Sequence, residues 1–263
     1  MKFNIEYAAL CNKGLVREKN QDNFLCASKF LVSENGGLPE MLAGEIDAST
    51  FPAFAVFDGM GGEQCGEIAA YIAASHFNEL HLGKTKSDTK LFLLETCDEI
   101  NKKICAYQKE NHIRHMGTTA AILMCGQNDV FICNVGDSRI YQYSGKKLAQ
   151  ISEDHSEIST NDRKPPLTQN LGIPESEFVI EPYIAKGKYN SGDRYLICSD
   201  GLTDMLSDEE ILDILKARSK ITEAVQKLMD KALDRGGIDN ITVIICEVRK
   251  QSRFFSQSRS QER

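Results

Sequence analysis

The sequence predicts an α+β domain in which strands and helix pairs form separate layers. Three observations carry this. Several segments alternate polar and apolar residues or run almost wholly apolar, as strands do. Two pairs of longer segments repeat apolar residues every three or four positions, as amphipathic helices do. The order is strands, two helices, strands, two helices and a final strand, unlike the regular βαβ alternation of a parallel sheet.

In chain order, Phe3, Ile5, Tyr7 and Ala9 alternate at strand period within 3–9, and a second strand is expected at 24–32. Residues 33–50 (SENGGLPEMLAGEIDAST) contain glycines and no clear period, and read as a long connection. A strand at 51–57 leads to helices over 64–81 and 89–108; in the second, Leu91, Leu94, Cys97, Ile100, Ile104 and Tyr107 fall on one face. Strands follow at 119–125, 129–135 and 139–143. Residues 155–172 are polar, and adjacent Pro165 and Pro166 argue against a helix there.

A strand at 193–199 precedes helices at 208–217 and 221–234, the first opened by a capping box from Ser207 to Glu210. Ile211, Leu212, Leu215, Val225, Leu228, Met229 and Ala232 supply their buried stripe, and 241–248 is the last strand. The segment from Arg249 to Arg263 is rich in Arg and Ser around Phe254 and Phe255, and is expected to be a disordered tail behind a domain of residues 1–248.

Composition narrows the function classes. A chain of 263 residues, 41% hydrophobic and 26% charged, supports one large soluble domain. With 31 basic and 38 acidic residues the net charge is −7, which disfavours nucleic acid and anionic lipid as partners. The 9 cysteines are scattered with no C-x-x-C pair, as expected of reduced core residues. MKFNIEYAAL lacks a signal-peptide core, and no apolar run approaches the roughly 18 residues of a membrane span. The cytoplasm is the expected compartment.

The chemistry-bearing pattern is a set of aspartates where apolar strands run out: Asp58 in FAVFDGMGG, Asp200 in RYLICSDGL and Asp239 in GGIDNITVIICEV. Asp-Gly often only ends a strand, so one copy says little. Several together, with Asp137 in VFICNVGDSRIYQY, would repel unless a cation lay between them. Oxygen ligands suit hard cations such as Mg2+ or Mn2+.

Other motifs fail. Gly83-Lys84-Thr85 imitates a phosphate loop, but Asn78 stands where its first glycine belongs. His112 and His115 could share a helix face, yet lack further zinc ligands. Neither G-x-S-x-G nor a Cys beside a base is present, which leaves an activated water as the nucleophile.

The order of motifs resembles the type-2C family of metal-dependent protein serine/threonine phosphatases, particularly its bacterial members. The motifs are GLVREKNQD (14–22), VFDGMGG (56–62) with Gly66-Glu67, MGTT (116–119), VGDSR (135–139), DHS (154–156), CSDGL (198–202) and GGIDNITVI (236–244). The resemblance implies two packed antiparallel β-sheets flanked by helix pairs, and a centre of two Mn2+ or Mg2+ ions. It implies that Asp58 bridges the ions, the Gly59 carbonyl binds one, Asp200 and Asp239 bind the other, and Asp22 stands behind them. Asp137 and Asp204 match the ligands of a third ion.

Arg17 matches the family's phosphate-binding arginine, whose fork grips two phosphoryl oxygens. Catalysis is thus expected from Arg17, Asp58, Asp200 and Asp239, by direct attack of water on phosphoserine or phosphothreonine without a phosphoenzyme. Expected partners are phosphoproteins made by a serine/threonine kinase, and the expected state is a monomer. Met60 stands where eukaryotic relatives carry a proton-donating histidine, and Glu63 where many bacterial ones carry His. The segment after His155, with the Lys164-Pro165-Pro166 turn, corresponds to the family's flap and looks short. Two rival readings stay open: a switch phosphatase for one regulatory protein, which commonly lacks this arginine, and a catalytically silent binding module.

Overall fold

A computed structural model describes residues 2–60, 65–83, 88–157, 166–217 and 219–251. Its strands are β1 (Phe3–Asn12), β2 (Asp22–Cys26), β3 (Leu42–Asp47), β4 (Ala53–Met60), β5 (Gly117–Thr118), β6 (Ala120–Cys125), β7 (Asp129–Val135), β8 (Arg139–Ser144), β9 (Lys147–Gln150), β10 (Tyr183–Lys188), β11 (Arg194–Cys198) and β12 (Ile241–Lys250). The helices are α1 (Gly66–Gly83), α2 (Thr89–Glu110), α3 (Asp200–Thr203), α4 (Asp208–Leu215) and α5 (Ile221–Asp234).

One sheet runs β3-β1-β12-β11-β8-β9 and the other β10-β7-β6-β4-β2, with β5 beside β4. Every pairing is antiparallel. The alternation of β1 and β12 sends Ile5, Ala9, Ile244 and Cys246 into the layer between the sheets, where Phe24, Phe54, Val56 and Leu123 meet them. Helices α1 and α2 cover the outer face of the second sheet through Ala69, Ala73, Phe77, Leu93 and Ile100. Helices α4 and α5 cover the first sheet through Ile211, Leu215, Val225 and Leu228. The expected α+β sandwich with outer helix pairs is present.

Several elements differ from expectation. Strand β2 ends at Cys26 because Ala27 and Ser28 adopt positive φ (50° and 63°) and turn the chain, so that Cys26 and Lys29 exchange backbone hydrogen bonds of 2.9 and 3.0 Å. The connection at 33–50 contains β3 and a short 3-10 turn, Ala48–Thr50. Strands β9 and β10 and the single turn α3 were not anticipated.

The buried face of α2 is rotated from the expected one. Leu91 and Leu94 are exposed, whereas Phe92, Leu93 and Thr96 are buried beside Cys97, Ile100 and Ile104. Asn101 and Gln108 also lie on the buried face, where their amides donate to the carbonyls of Ile173, Met116 and Gly172. The helix stops at Glu110 and His112 takes φ 56°, so His112 and His115 share no helix face.

The α4 capping box is formed as expected, with Ser207 accepting from the Glu210 N–H and Glu210 answering at the Ser207 N–H. Of the stripe on α4 and α5, only Leu212 is half-buried. Strand β12 continues through Arg249, whose guanidinium pairs with Glu6 and Glu247. The rest of the expected tail, 252–263, lies outside the described residues, as do Lys84, Thr85, Glu63, Lys164 and Pro165.

Candidate metal centre

The β2–β4 register sets Asp22 directly opposite Asp58. Asp22 is 1% exposed, and its Oδ2 accepts hydrogen bonds from Ser199 Oγ at 2.7 Å and Thr242 Oγ1 at 2.6 Å. Thr242 lies in β12 of the opposite sheet and Ser199 directly follows its β11, so one carboxylate ties the two layers together at one end of the sandwich. The other oxygen, Oδ1, is buried and meets no hydrogen-bond donor. Burial pushes the Asp22 carboxyl up to about 6 against the Ser199 and Thr242 bonds, and the charge of Asp239 adds to the rise.

Asp58 is held by its backbone. Its N–H donates to Thr119 Oγ1 at 3.0 Å, and its carbonyl accepts from the Thr119 N–H at 2.9 Å and from Thr118 Oγ1 at 3.0 Å. Thr119 Oγ1 meets Ser138 Oγ at 2.7 Å, so the residue following Asp137 is fastened to the same cluster. The two threonines of the MGTT motif thus fix the Asp58 peptide. At Gly59 a Cβ would collide with the carbonyls of Gly66 and Gln21, so glycine alone permits this approach of α1 to β4.

A second set of bonds places Arg17 beside Asp239. The Arg17 fork donates to both Asp239 oxygens, Nε to Oδ1 at 2.8 Å and Nη2 to Oδ2 at 2.6 Å. Asn240, 3% exposed, staples the arginine loop: its Oδ1 accepts from the Gln21 N–H at 2.7 Å, and its Nδ2 donates to the carbonyls of Lys13 and Lys19 at 2.8 and 2.9 Å. Gly14 sits at φ 79°, where a Cβ would strike the Asp239 carbonyl. Lys19 pairs with Glu67 of α1 at 2.7 Å, and Gln21 also reaches that carboxylate.

Asp200 opens α3 and is nearly buried. Gly201 follows because a Cβ there would collide with the Asn240 carbonyl. Asp204 lies one turn later and is exposed, with its N–H bonded to the Asp200 carbonyl at 2.7 Å. His155 accepts from the Gly136 N–H at 3.2 Å through Nδ1, and its backbone N–H donates to the Gly136 carbonyl at 2.9 Å. It is therefore a structural histidine that holds the turn carrying Asp137, and burial lowers its pKa. Arg139 forks onto Asp154, at 2.8 Å from Nε and 2.7 Å from Nη2.

The structure thus collects Asp22, Asp58, Asp200 and Asp239 at one end of the sandwich, with Arg17 above them. Among the described residues, no three His, Cys, Asp or Glu side chains close on one point; Asp239 instead holds the Arg17 fork. The donor set fits a hard cation: an all-oxygen group in which a buried Asp22 oxygen lacks a donor and Asp58 is the residue opposite it in the ladder. Ser199, Thr242, Thr119 and Asn240 were not anticipated as supports, and only their places in CSDGL, MGTT and GGIDNITVI signalled them.

Comparison with known proteins identifies the family and the fold. A model of the family described as protein phosphatase 2C matches residues 44–235. The serine/threonine phosphatase stp of Listeria monocytogenes is 32% identical over 255 residues, covering 90% of this chain and 93% of that protein. Protein phosphatase PhpP of Streptococcus pneumoniae is 30% identical over 219 residues, covering 74% of this chain and 85% of that one.

Among solved structures, the catalytic domain of the serine/threonine protein phosphatase PstP in complex with two manganese ions superposes with a TM-score of 0.77 at 28% identity, covering 94% of this chain and 100% of that one. The Mycobacterium tuberculosis serine/threonine phosphatase PstP/Ppp gives 0.78 at 27% identity, with coverage of 94% and 100%. Sequence and architecture agree, and the chain belongs to the protein phosphatase 2C family.

Proposed function

We propose that this chain hydrolyses phosphoserine and phosphothreonine in proteins with the help of two Mn2+ or Mg2+ ions. The observation that carries the reading is a buried Asp22 oxygen without a donor, on a residue paired in register with Asp58, at the end of the sandwich where β11 and β12 also present Asp200 and Asp239. Asp58, the Gly59 carbonyl, Asp200 and Asp239 would hold the ions and Asp22 would stand behind them. Asp137 and the exposed Asp204 would hold a looser third ion. When bound, such ions lower the pKa of water and screen the charge of a phosphoryl group.

The protein's own residues supply the rest. The Arg17 fork now rests on both Asp239 oxygens; an Asp239 that held a cation would share its lone pairs between the ion and the guanidinium, and the fork so loosened would be placed to grip two phosphoryl oxygens. Ser199 and Thr242 fix Asp22, and Thr118 and Thr119 fix the Asp58 peptide, so the acids need little rearrangement. Water attacks phosphorus in line; the P–O bond to the seryl or threonyl oxygen breaks, and that oxygen leaves with a proton. Met60 holds no proton to give, so solvent supplies it.

Residues 1–248 would form the catalytic unit. The substrates would be products of a serine/threonine kinase, the compartment the cytoplasm and the working form a monomer. All nine cysteines are free, which suits a reducing compartment, and among the described residues no helix is long and apolar enough to cross a membrane. The test is turnover of a phosphothreonine peptide with Mn2+ present and then chelated, alongside Asp239→Asn. Activity that requires the ion and falls at least a hundredfold in the variant supports the reading; normal turnover by Asp239→Asn refutes the assigned centre.

A further inference from the structure

Arg17 and Asp239 are bracketed by three large apolar side chains that face solvent: Leu15 is 68% exposed, Val16 64% and Ile238 54%. They are held there by the structure. The Leu15 N–H donates to the Gly237 carbonyl at 2.8 Å, and the Asn240 amide closes the loop at Lys13 and Lys19. Gly14 and Gly237, both at positive φ, bring the two segments into contact, and a Cβ on Gly237 would lie 3.3 Å from the Leu15 side chain. Two loops joined this closely present a fixed apolar edge, and no described element covers it.

A phosphoryl group gripped by Arg17 constrains the peptide that carries it. Consecutive Cα atoms are only about 3.8 Å apart, so the neighbours of a phosphoserine or phosphothreonine held by Arg17 come within side-chain reach of Leu15, Val16 and Ile238, which directly precede Arg17 and Asp239 in the chain. We infer that Leu15, Val16 and Ile238 form an apolar rim that receives an aliphatic or aromatic side chain next to the phosphorylated residue of the protein substrate. This rests on the reading of Arg17 as the residue that grips the phosphoryl group. Burial of such a side chain contributes binding that a small phosphate ester lacks.

The experiment compares two phosphothreonine peptides, one flanked by Leu and Phe and one by Ser and Gly, with p-nitrophenyl phosphate, for the unaltered protein, Leu15→Ser and Ile238→Ser. Both substitutions are at exposed positions and remove no hydrogen bond. The unaltered protein is expected to favour the apolar-flanked peptide by about tenfold in kcat/KM, mainly through KM, in line with loss of one apolar contact. Each variant erases most of that preference and lowers the ratio of peptide to p-nitrophenyl phosphate turnover by a similar factor. Equal use of both peptides by the unaltered protein, or an undiminished preference in both variants, overturns the rim. If the unaltered protein turns over neither peptide nor p-nitrophenyl phosphate, the phosphatase reading fails and the rim falls with it.

Discussion

Asp22 and Asp58 face each other across the β2–β4 ladder while Thr242 of β12 and Ser199 at the end of β11 hold one oxygen of Asp22. Two carboxylates so placed need a shared proton or a cation, and burial decides how strongly.

The first consequence is a pH dependence in the chelated protein. Burial raises the Asp22 pKa from 3.8 to about 6. Between these values the folded state holds more protons than the unfolded chain, so stability falls as pH rises through the window. The loss at neutral pH is on the order of 3 kcal/mol. In Asp22→Asn it is absent. Urea denaturation with chelator at pH 4 and pH 7 should show the gap between the two proteins closing or reversing by about that amount; parallel curves would contradict it.

Thr242→Val and Ser199→Ala each remove one donor from Asp22. Each should weaken Mn2+ binding by about 10–100-fold, the usual effect of losing a group that orients a ligand. Calorimetric titration measures this. Unchanged affinity in both variants would mean that Asp22 does not shape the centre.

Arg17 is about half exposed, so its ion pair with Asp239 adds little to stability, less than about 1 kcal/mol. Arg17→Ala should therefore unfold at nearly the same urea concentration as the unaltered protein while inhibition by inorganic phosphate weakens by about tenfold or more. Arg17→Lys should not restore phosphate affinity, because a point charge lacks the fork. Full recovery by lysine would remove the argument from bidentate geometry.

Far from the centre, Arg194 and Glu247 form a buried pair at 2.9 Å, and the guanidinium also donates to the carbonyls of Leu215, Ala217 and Ser219. Glu247→Ala leaves that charge without its partner and should cost about 3–5 kcal/mol. Turnover per folded molecule should persist. A variant as stable as the unaltered protein would show that the carbonyls alone satisfy the arginine.

Much of the fold was legible because its central strands are continuous apolar runs, such as Ala120–Cys125 and residues 195–198 of β11, both buried throughout. The missed strands β3, β9 and β10 are all sheet edges, and their half-exposed side chains carry little apolar period. The face of α2 was misplaced because hydropathy does not foresee Asn101 and Gln108 being buried to satisfy carbonyls far along the chain. The aspartates stood out beside glycine or asparagine at strand ends. Their supports did not: Thr242 reaches Asp22 across a separation of 220 residues, and Asn240 reaches Gln21 across 219.

The most direct measurement is the number of Mn2+ ions bound, by calorimetry, in the unaltered protein and in Asp58→Asn, with phosphothreonine-peptide turnover measured on the same samples. The proposed centre predicts two tight ions and turnover for the unaltered protein, with at least one ion and nearly all turnover lost when Asp58 is changed. Two ions and full turnover in Asp58→Asn would show that the carboxylate opposite Asp22 is not the bridge on which the centre is built.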